Sequence, residues 1–164
     1  MIGGPTFTPG GVPPGPRRLT QASTRLLHEW SLTQTFEAGP WYELRLGPTP
    51  LSVAAPVVTP EIDGMLRRAN RYADLVGITP KEIQVVEAKM VAEPGAISQL
   101  EHYIDLVHTT PYIQQYPGRV VQGVLLFAVG DAIITQRAHA RGLRVVVWTP
   151  SWTQDYLAQK YYRR

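Results

Sequence analysis

Apolar positions along this chain alternate with polar ones in some stretches and recur three or four apart in others, and the switch between the two spacings predicts an α/β order of elements. Residues 20–31 carry Leu26, Leu27 and Trp30 on one helical side, with Thr20 or Ser23 available as a cap. Residues 41–46 alternate and predict a strand, with Tyr42, Leu44 and Leu46 turned one way and Trp41, Glu43 and Arg45 the other. The proline-rich stretch 47–60 predicts a loop around a short strand at 51–54, followed after Pro60 by a short helix bearing Glu61, Asp63, Arg67, Arg68 and Arg71, whose three arginines offer a phosphate-contacting ridge or, more plainly, a solvated face. Two apolar runs follow, one around Asp74 and one at 84–89, with Gly77, Thr79 and Pro80 between them, and these predict a β-hairpin. Ile97, Leu100, Ile104 and Val107 form a helical stripe. Residues 112–118 predict a loop, 120–129 a buried strand, 131–141 a helix closed by Gly142, and 143–148 a second buried strand joined to the first by a parallel crossover. The last stretch, 152–164, is helix-like, and its Trp152 and Tyr156 predict a cover for the sheet.

The hairpin carries the chemistry. With its midpoint near Pro80, Asp74 falls opposite Glu87, and directly opposed strand residues have Cβ atoms about 5 Å apart. Lys89 lies two positions beyond Glu87 and so shares its face. Two acids and one amine on one face suit a hard divalent cation, Mg²⁺ or Mn²⁺, held by Asp74 and Glu87 with the Ala88 carbonyl as a possible third ligand. Lys89 is placed to orient a water or to offset charge developing on phosphorus. An exposed ion-pair ladder is the plainer reading of the same three residues. On the following helix Gln99 and Tyr103 are four apart and stack on one side; core packing is the plainer role for Tyr103.

Asp74, the Glu87-Ala88-Lys89 triplet and Gln99-x-x-x-Tyr103 together resemble the PD-(D/E)XK nuclease superfamily, and the Gln-x-x-x-Tyr pair resembles its RecB-type exonuclease branch. The resemblance is close over residues 71–103 and only in pattern over 120–150. It implies a restriction-endonuclease-like mixed sheet flanked by helices, and a metal-dependent DNA nuclease. In that reading Asp74, Glu87 and Lys89 form the metal and catalytic site, and Gln99 and Tyr103 support the site or the DNA strand. Many members add an acid from the first helix, where Glu29 matches and His28 is a weaker candidate; Glu43 is a rival to Glu29. Phage head-completion, neck and connector proteins include members resembling this fold, so a structural protein is the alternative.

Composition narrows these readings. With 164 residues, 44% apolar and 18% charged, the chain has enough apolar material for one domain, taken as residues 19–164. Residues 1–18 are expected to form an extended arm, because glycine and proline fill ten of the first sixteen positions. Such an arm offers a route to homo-oligomers or to phage structural proteins. The net charge of +3 permits DNA contact without demonstrating it, and thirteen of the sixteen basic residues are arginine, which suits bidentate phosphate contact. Cysteine is absent, which excludes disulfides, thiolate metal sites and a cysteine nucleophile. No signal-like segment or long apolar span is evident, so a non-membrane protein of the cytoplasm, or of the virion on the structural alternative, is expected. His102 and His139 lack ligand spacing and read as surface or packing residues.

Overall fold

The computed structural model of the protein describes residues 21–48 and 71–161. The expected N-terminal arm, the strand at 51–54, the arginines at 67 and 68, and Thr20 as a cap lie outside the described residues. Within them the order is α1 (Gln21–Ser31), β1 (Ala38–Leu46), β2 (Arg71–Ile78), β3 (Glu82–Val91), α2 (Gly95–Val107), α3 (Pro111–Gln114), β4 (Val120–Val129), α4 (Ala132–Ala140), β5 (Arg144–Val147) and α5 (Ser151–Tyr161). The fold class is α/β: one five-stranded sheet in the order β1-β2-β3-β4-β5 with helices on both faces.

The sheet is mixed. β1 and β2 run antiparallel, as do β2 and β3, whereas β3–β4 and β4–β5 are parallel. The β2–β3 hairpin closes on Pro80 and Lys81: Thr79 N–H donates to the Glu82 carbonyl at 2.9 Å and the Glu82 N–H donates to Thr79 Oγ1 at 2.9 Å. Proline at the first central position of such a turn has its φ already set. The register then runs from Ile78↔Ile83 to Leu75↔Val86, one step short of an Asp74–Glu87 pair.

Alternation along the buried strands divides the core between the two faces. Val76, Ile78, Ile83, Val85, Leu125 and Phe127 pack under α2 through Ile97, Leu100, Tyr103 and Val107. Leu75, Val86, Ala88, Met90, Val124 and Leu126 pack under α1 through Leu26, Leu27 and Trp30, with Trp152 and Tyr156 of α5 alongside. Burying a side chain of this size is worth about 1.5–3 kcal/mol, so the two apolar layers, and not the helices' own propensities, fix both helices on the sheet. α2 approaches β4 closely at Gly123, where an added Cβ would come within 2.7 Å of Ile104 Cδ1 and 2.8 Å of Leu143 Cδ2. At the far end of α2, Thr110 Oγ1 accepts from the Gly47 N–H at 2.9 Å and donates to the Leu106 carbonyl at 3.0 Å, which ties the end of β1 to the helix.

Five expectations need correction. β5 is a half-exposed edge strand and not the second buried strand expected over 143–148. Ser23 lies buried within α1, two residues past its first position, and not at the N-cap. Simple alternation fails in β1 because Glu43 takes a positive φ of 49°, so Trp41, Leu44 and Leu46 all pack toward the α2 side while the Tyr42 hydroxyl meets Ser31 Oγ of α1 at 2.6 Å. Residues 111–114 form a one-turn helix in what was expected to be a loop, with proline at its start and Ile113 buried. Arg71 opens strand β2 instead of closing a helix.

Candidate active site

β2, β3 and α2 together position the site. Asp74 and Glu87 are both buried, at 3% and 1% exposure. The β2–β3 ladder ends at Leu75↔Val86, and the Ala88 N–H beyond it donates to the Asp74 carboxylate at Oδ2, 2.8 Å away. That bond fixes the Asp74 side chain against β3, near enough to the Glu87 carboxylate for the two charges to interact. On the same side of β3, Lys89 Nζ lies 2.9 Å from Glu87 Oε1 and 3.6 Å from Glu93 Oε1.

The electrostatics follow from burial and like charge. Loss of water, then the neighbouring charge of Glu87, hold the Asp74 carboxyl well above the usual carboxylate range, and the Ala88 N–H and Lys89 pull it back only in part. For Lys89, burial alone would favour the neutral amine. The carboxylates of Glu87, Asp74 and Glu93 outweigh it, and the ammonium is held above its ordinary value. Lys89 is therefore a charged donor at neutral pH and not a base.

Gln99 Nε2 donates to Tyr103 Oη at 2.7 Å, so the i, i+4 pair of α2 does meet. Tyr103 is fully buried and belongs to the core, yet it also lines the wall of an open cleft of about 400 Å³ together with Arg71, Lys89, Gln99 and His102. The core packing expected of Tyr103 and its place on the cleft wall thus belong to the same side chain.

The further acids do not join. Glu29 sits on α1, on the other face of the sheet, where Oε1 takes the Arg25 Nε–H at 2.7 Å and Oε2 takes the Trp152 indole N–H at 2.8 Å; these bonds hold its carboxyl below the usual range. His28 of the same helix faces the Tyr42 ring at 6.0 Å. Glu43 occupies the register position opposite Asp74, but its left-handed backbone leaves it exposed. Among the described residues no group of three His, Cys, Asp or Glu side chains is arranged to hold a metal ion.

One cleft residue carries no site signal of its own in the sequence. His102 is exposed, in keeping with a surface residue, and it also lines the cleft, where its Nε2 accepts from Arg71 Nε at 3.3 Å. What signal there is lies in the spacing, because Gln99, His102 and Tyr103 stand at i, i+3 and i+4 of one helix. Arg71, expected on a helix, opens β2 instead, and from there it lines the cleft.

No family model matches the chain, and no curated protein matches it. Among solved structures it is similar to a repair endonuclease from Pyrococcus abyssi, at 16% identity over 81% of this chain and 48% of that one, with a TM-score of 0.44. It is similar also to the structure of an EndoMS–dsDNA2 complex, at 16% identity over 85% of this chain and 49% of that one, with a TM-score of 0.46. The chain spans about half the length of both, and similarity at this level says nothing of what this chain acts on.

Proposed function

We propose that the protein is a metal-dependent nuclease that hydrolyses phosphodiester bonds in DNA at Asp74, Glu87 and Lys89, beside the cleft that Lys89 lines. The observation that carries the reading is a pair of buried carboxylates close enough for the charge of one to raise the pKa of the other, with an ammonium 2.9 Å from Glu87, beside an open cleft. Two buried acids that repel one another are an expensive arrangement unless a cation is to share them. The donor set fits Mg²⁺ or Mn²⁺: two carboxylates and the nearby Ala88 carbonyl are hard oxygen ligands, and Mg²⁺ keeps several waters and needs no third side chain. A cation held there would supply Lewis-acid polarisation of a phosphoryl oxygen and a more acidic water.

The chain's own residues then have separate roles. Asp74 is oriented by the Ala88 N–H and gives one carboxylate to the cation; Glu87 gives the other and holds Lys89. Lys89, kept protonated, donates to a non-bridging oxygen as negative charge grows on phosphorus. Water adds to phosphorus, the P–O bond to the departing sugar oxygen breaks, and the water's proton leaves to solvent or to the departing oxygen. Gln99 and Tyr103 hold the cleft wall on which the strand rests.

Purified full-length protein incubated with linear and oligonucleotide DNA in Mg²⁺ or Mn²⁺ is expected to cleave it, and Asp74→Ala, Glu87→Ala and Lys89→Ala are each expected to lose about 10²–10⁴-fold in rate. Cleavage that survives all three substitutions comes from a contaminant or another site and ends this assignment. Absence of cleavage on every substrate would return the structural-protein reading to first place.

A further inference from the structure

Lys89 has two acidic partners, and the hydrolytic roles use one of them. Its Nζ lies 2.9 Å from Glu87 Oε1, within hydrogen-bond range, and 3.6 Å from Glu93 Oε1, near enough for ion pairing and too far for a hydrogen bond. The two acids differ in their surroundings: the Glu87 side chain is 1% exposed, that of Glu93 54%. Glu93 follows β3 and precedes α2, and its backbone is tied on both sides. The Ala92 N–H donates to the Val129 carbonyl of β4 at 2.9 Å, and the Glu93 carbonyl accepts from the Ala96 N–H of α2 at 3.2 Å. Water already serves the Glu93 carboxylate, so its pairing with Lys89 adds little to folding. Its worth lies in where it holds the ammonium.

With a divalent cation at Asp74 and Glu87, Glu87 becomes a poorer acceptor and the Lys89 ammonium meets a like charge. With Glu87 as its sole acid, the long lysine side chain would gain by turning its charge out to water. Glu93 opposes this. When Asp74, Glu87 and Glu93 are all ionised, three carboxylates balance one dication and one ammonium; without Glu93 the loaded site carries a net positive charge. We infer that Glu93 is a positioning residue that keeps the Lys89 ammonium at the cleft when a divalent cation takes up the Glu87 carboxylate. The inference rests on the metal-dependent reading of the site. In it Glu93 touches neither substrate nor cation and acts through Lys89.

The test reads Lys89 directly, because the chain has only three lysines, Lys81, Lys89 and Lys160, and the other two serve as internal references. Full-length protein is treated with an amine-acylating reagent at fixed pH, with and without Mn²⁺, and modification is followed at each lysine by mass spectrometry. Mn²⁺ is expected to change the relative modification of Lys89 by less than about twofold in wild type and to raise it about fivefold in Glu93→Gln, the most that an exposed ion pair supports. Glu93→Asp keeps the charge and is expected to restore most of the protection. Calorimetric Mn²⁺ affinity is the second readout. Glu93→Gln is expected to weaken it about fivefold when Lys89 is present and by less than about twofold in Lys89→Met protein, which has no ammonium to hold. In the cleaving protein Glu93→Gln is expected to lower kcat about fivefold and to leave KM unchanged. Equal Mn²⁺ effects on Lys89 modification in wild type and Glu93→Gln overturn the inference. A loss of Mn²⁺ affinity that is the same with and without Lys89 also overturns it, because Glu93 would then act on the cation itself. Mn²⁺-dependent cleavage with neither effect removes the role of Glu93 and leaves the nuclease reading standing. Both effects in a protein that cleaves no DNA remove the nuclease reading and leave Glu93 in its role. Failure of Mn²⁺ to bind wild type overturns both.

Discussion

Ala88 donates its backbone N–H to Asp74 Oδ2 at 2.8 Å just where the β2–β3 ladder stops, so a side chain replaces the backbone of β2 as the partner of β3. The exchange orients a buried carboxylate at the cost of drying it. Because burial and Glu87 raise the Asp74 pKa above its ordinary value of 3.8, the sign of its effect on folding is fixed: stability is fully present below that ordinary value and declines as pH rises through the raised one. Asp74→Asn removes that decline. Its amide oxygen can still accept from Ala88, and its NH₂ can donate to Glu87. The expected outcome is a melting temperature several degrees above wild type at pH 7 in EDTA, at roughly 2–4 °C per kcal/mol, a difference that vanishes near pH 3, together with loss of cleavage. A variant less stable than wild type at pH 7 contradicts the assignment of Asp74 as a desolvated, repelled acid.

The Gln99–Tyr103 contact separates a working side chain from a packed one. Tyr103→Phe keeps the buried ring and deletes only the hydroxyl that Gln99 meets at 2.7 Å. Gln99 is half-buried and can turn to water, so stability should fall by only about 0.5–1.5 kcal/mol in thermal or urea unfolding. If the pair holds the cleft wall, kcat for oligonucleotide cleavage drops about tenfold in Tyr103→Phe and in Gln99→Ala alike. Equal stability loss with unaltered kcat assigns Tyr103 to packing alone.

Much of this architecture was legible because it rests on periodicity. The apolar runs on either side of Pro80 set the hairpin register that runs to Leu75↔Val86, one step short of an Asp74–Glu87 pair, and the stripe from Ile97 to Val107 named the face of α2 that meets the sheet. What periodicity could not see was backbone and tertiary in origin. Glu43 belongs to an alternating run, and only its left-handed φ breaks the alternation. Glu29 looked like a site acid by its place in the chain; a cross-sheet choice of face sends it instead to Trp152, 123 residues away. Arg71 and His102 meet only once strand and helix are docked, and two residues so far apart carry no pairing signal in a single sequence.

Lys89 and Glu87 test whether the ion pair is there for stability or for chemistry. Their side chains are 22% and 1% exposed, so water compensates the carboxylate very little and the ammonium 2.9 Å away offsets part of its charge. Lys89 is held above its ordinary 10.5, and its contribution is therefore complete at neutral pH and lost only as pH rises through that raised value. Removing one partner of such a pair strands the other's charge, so Lys89→Met alone should cost about 3 kcal/mol in urea unfolding at pH 7. Glu87→Gln with Lys89→Met strands no charge, and the double variant should be more stable than Lys89→Met despite carrying one more substitution. All three variants should be inactive on DNA. A double variant whose loss equals the sum of the singles means that the two groups do not interact at 2.9 Å in solution, and an active double variant means that the pair was structural and the chemistry lies elsewhere.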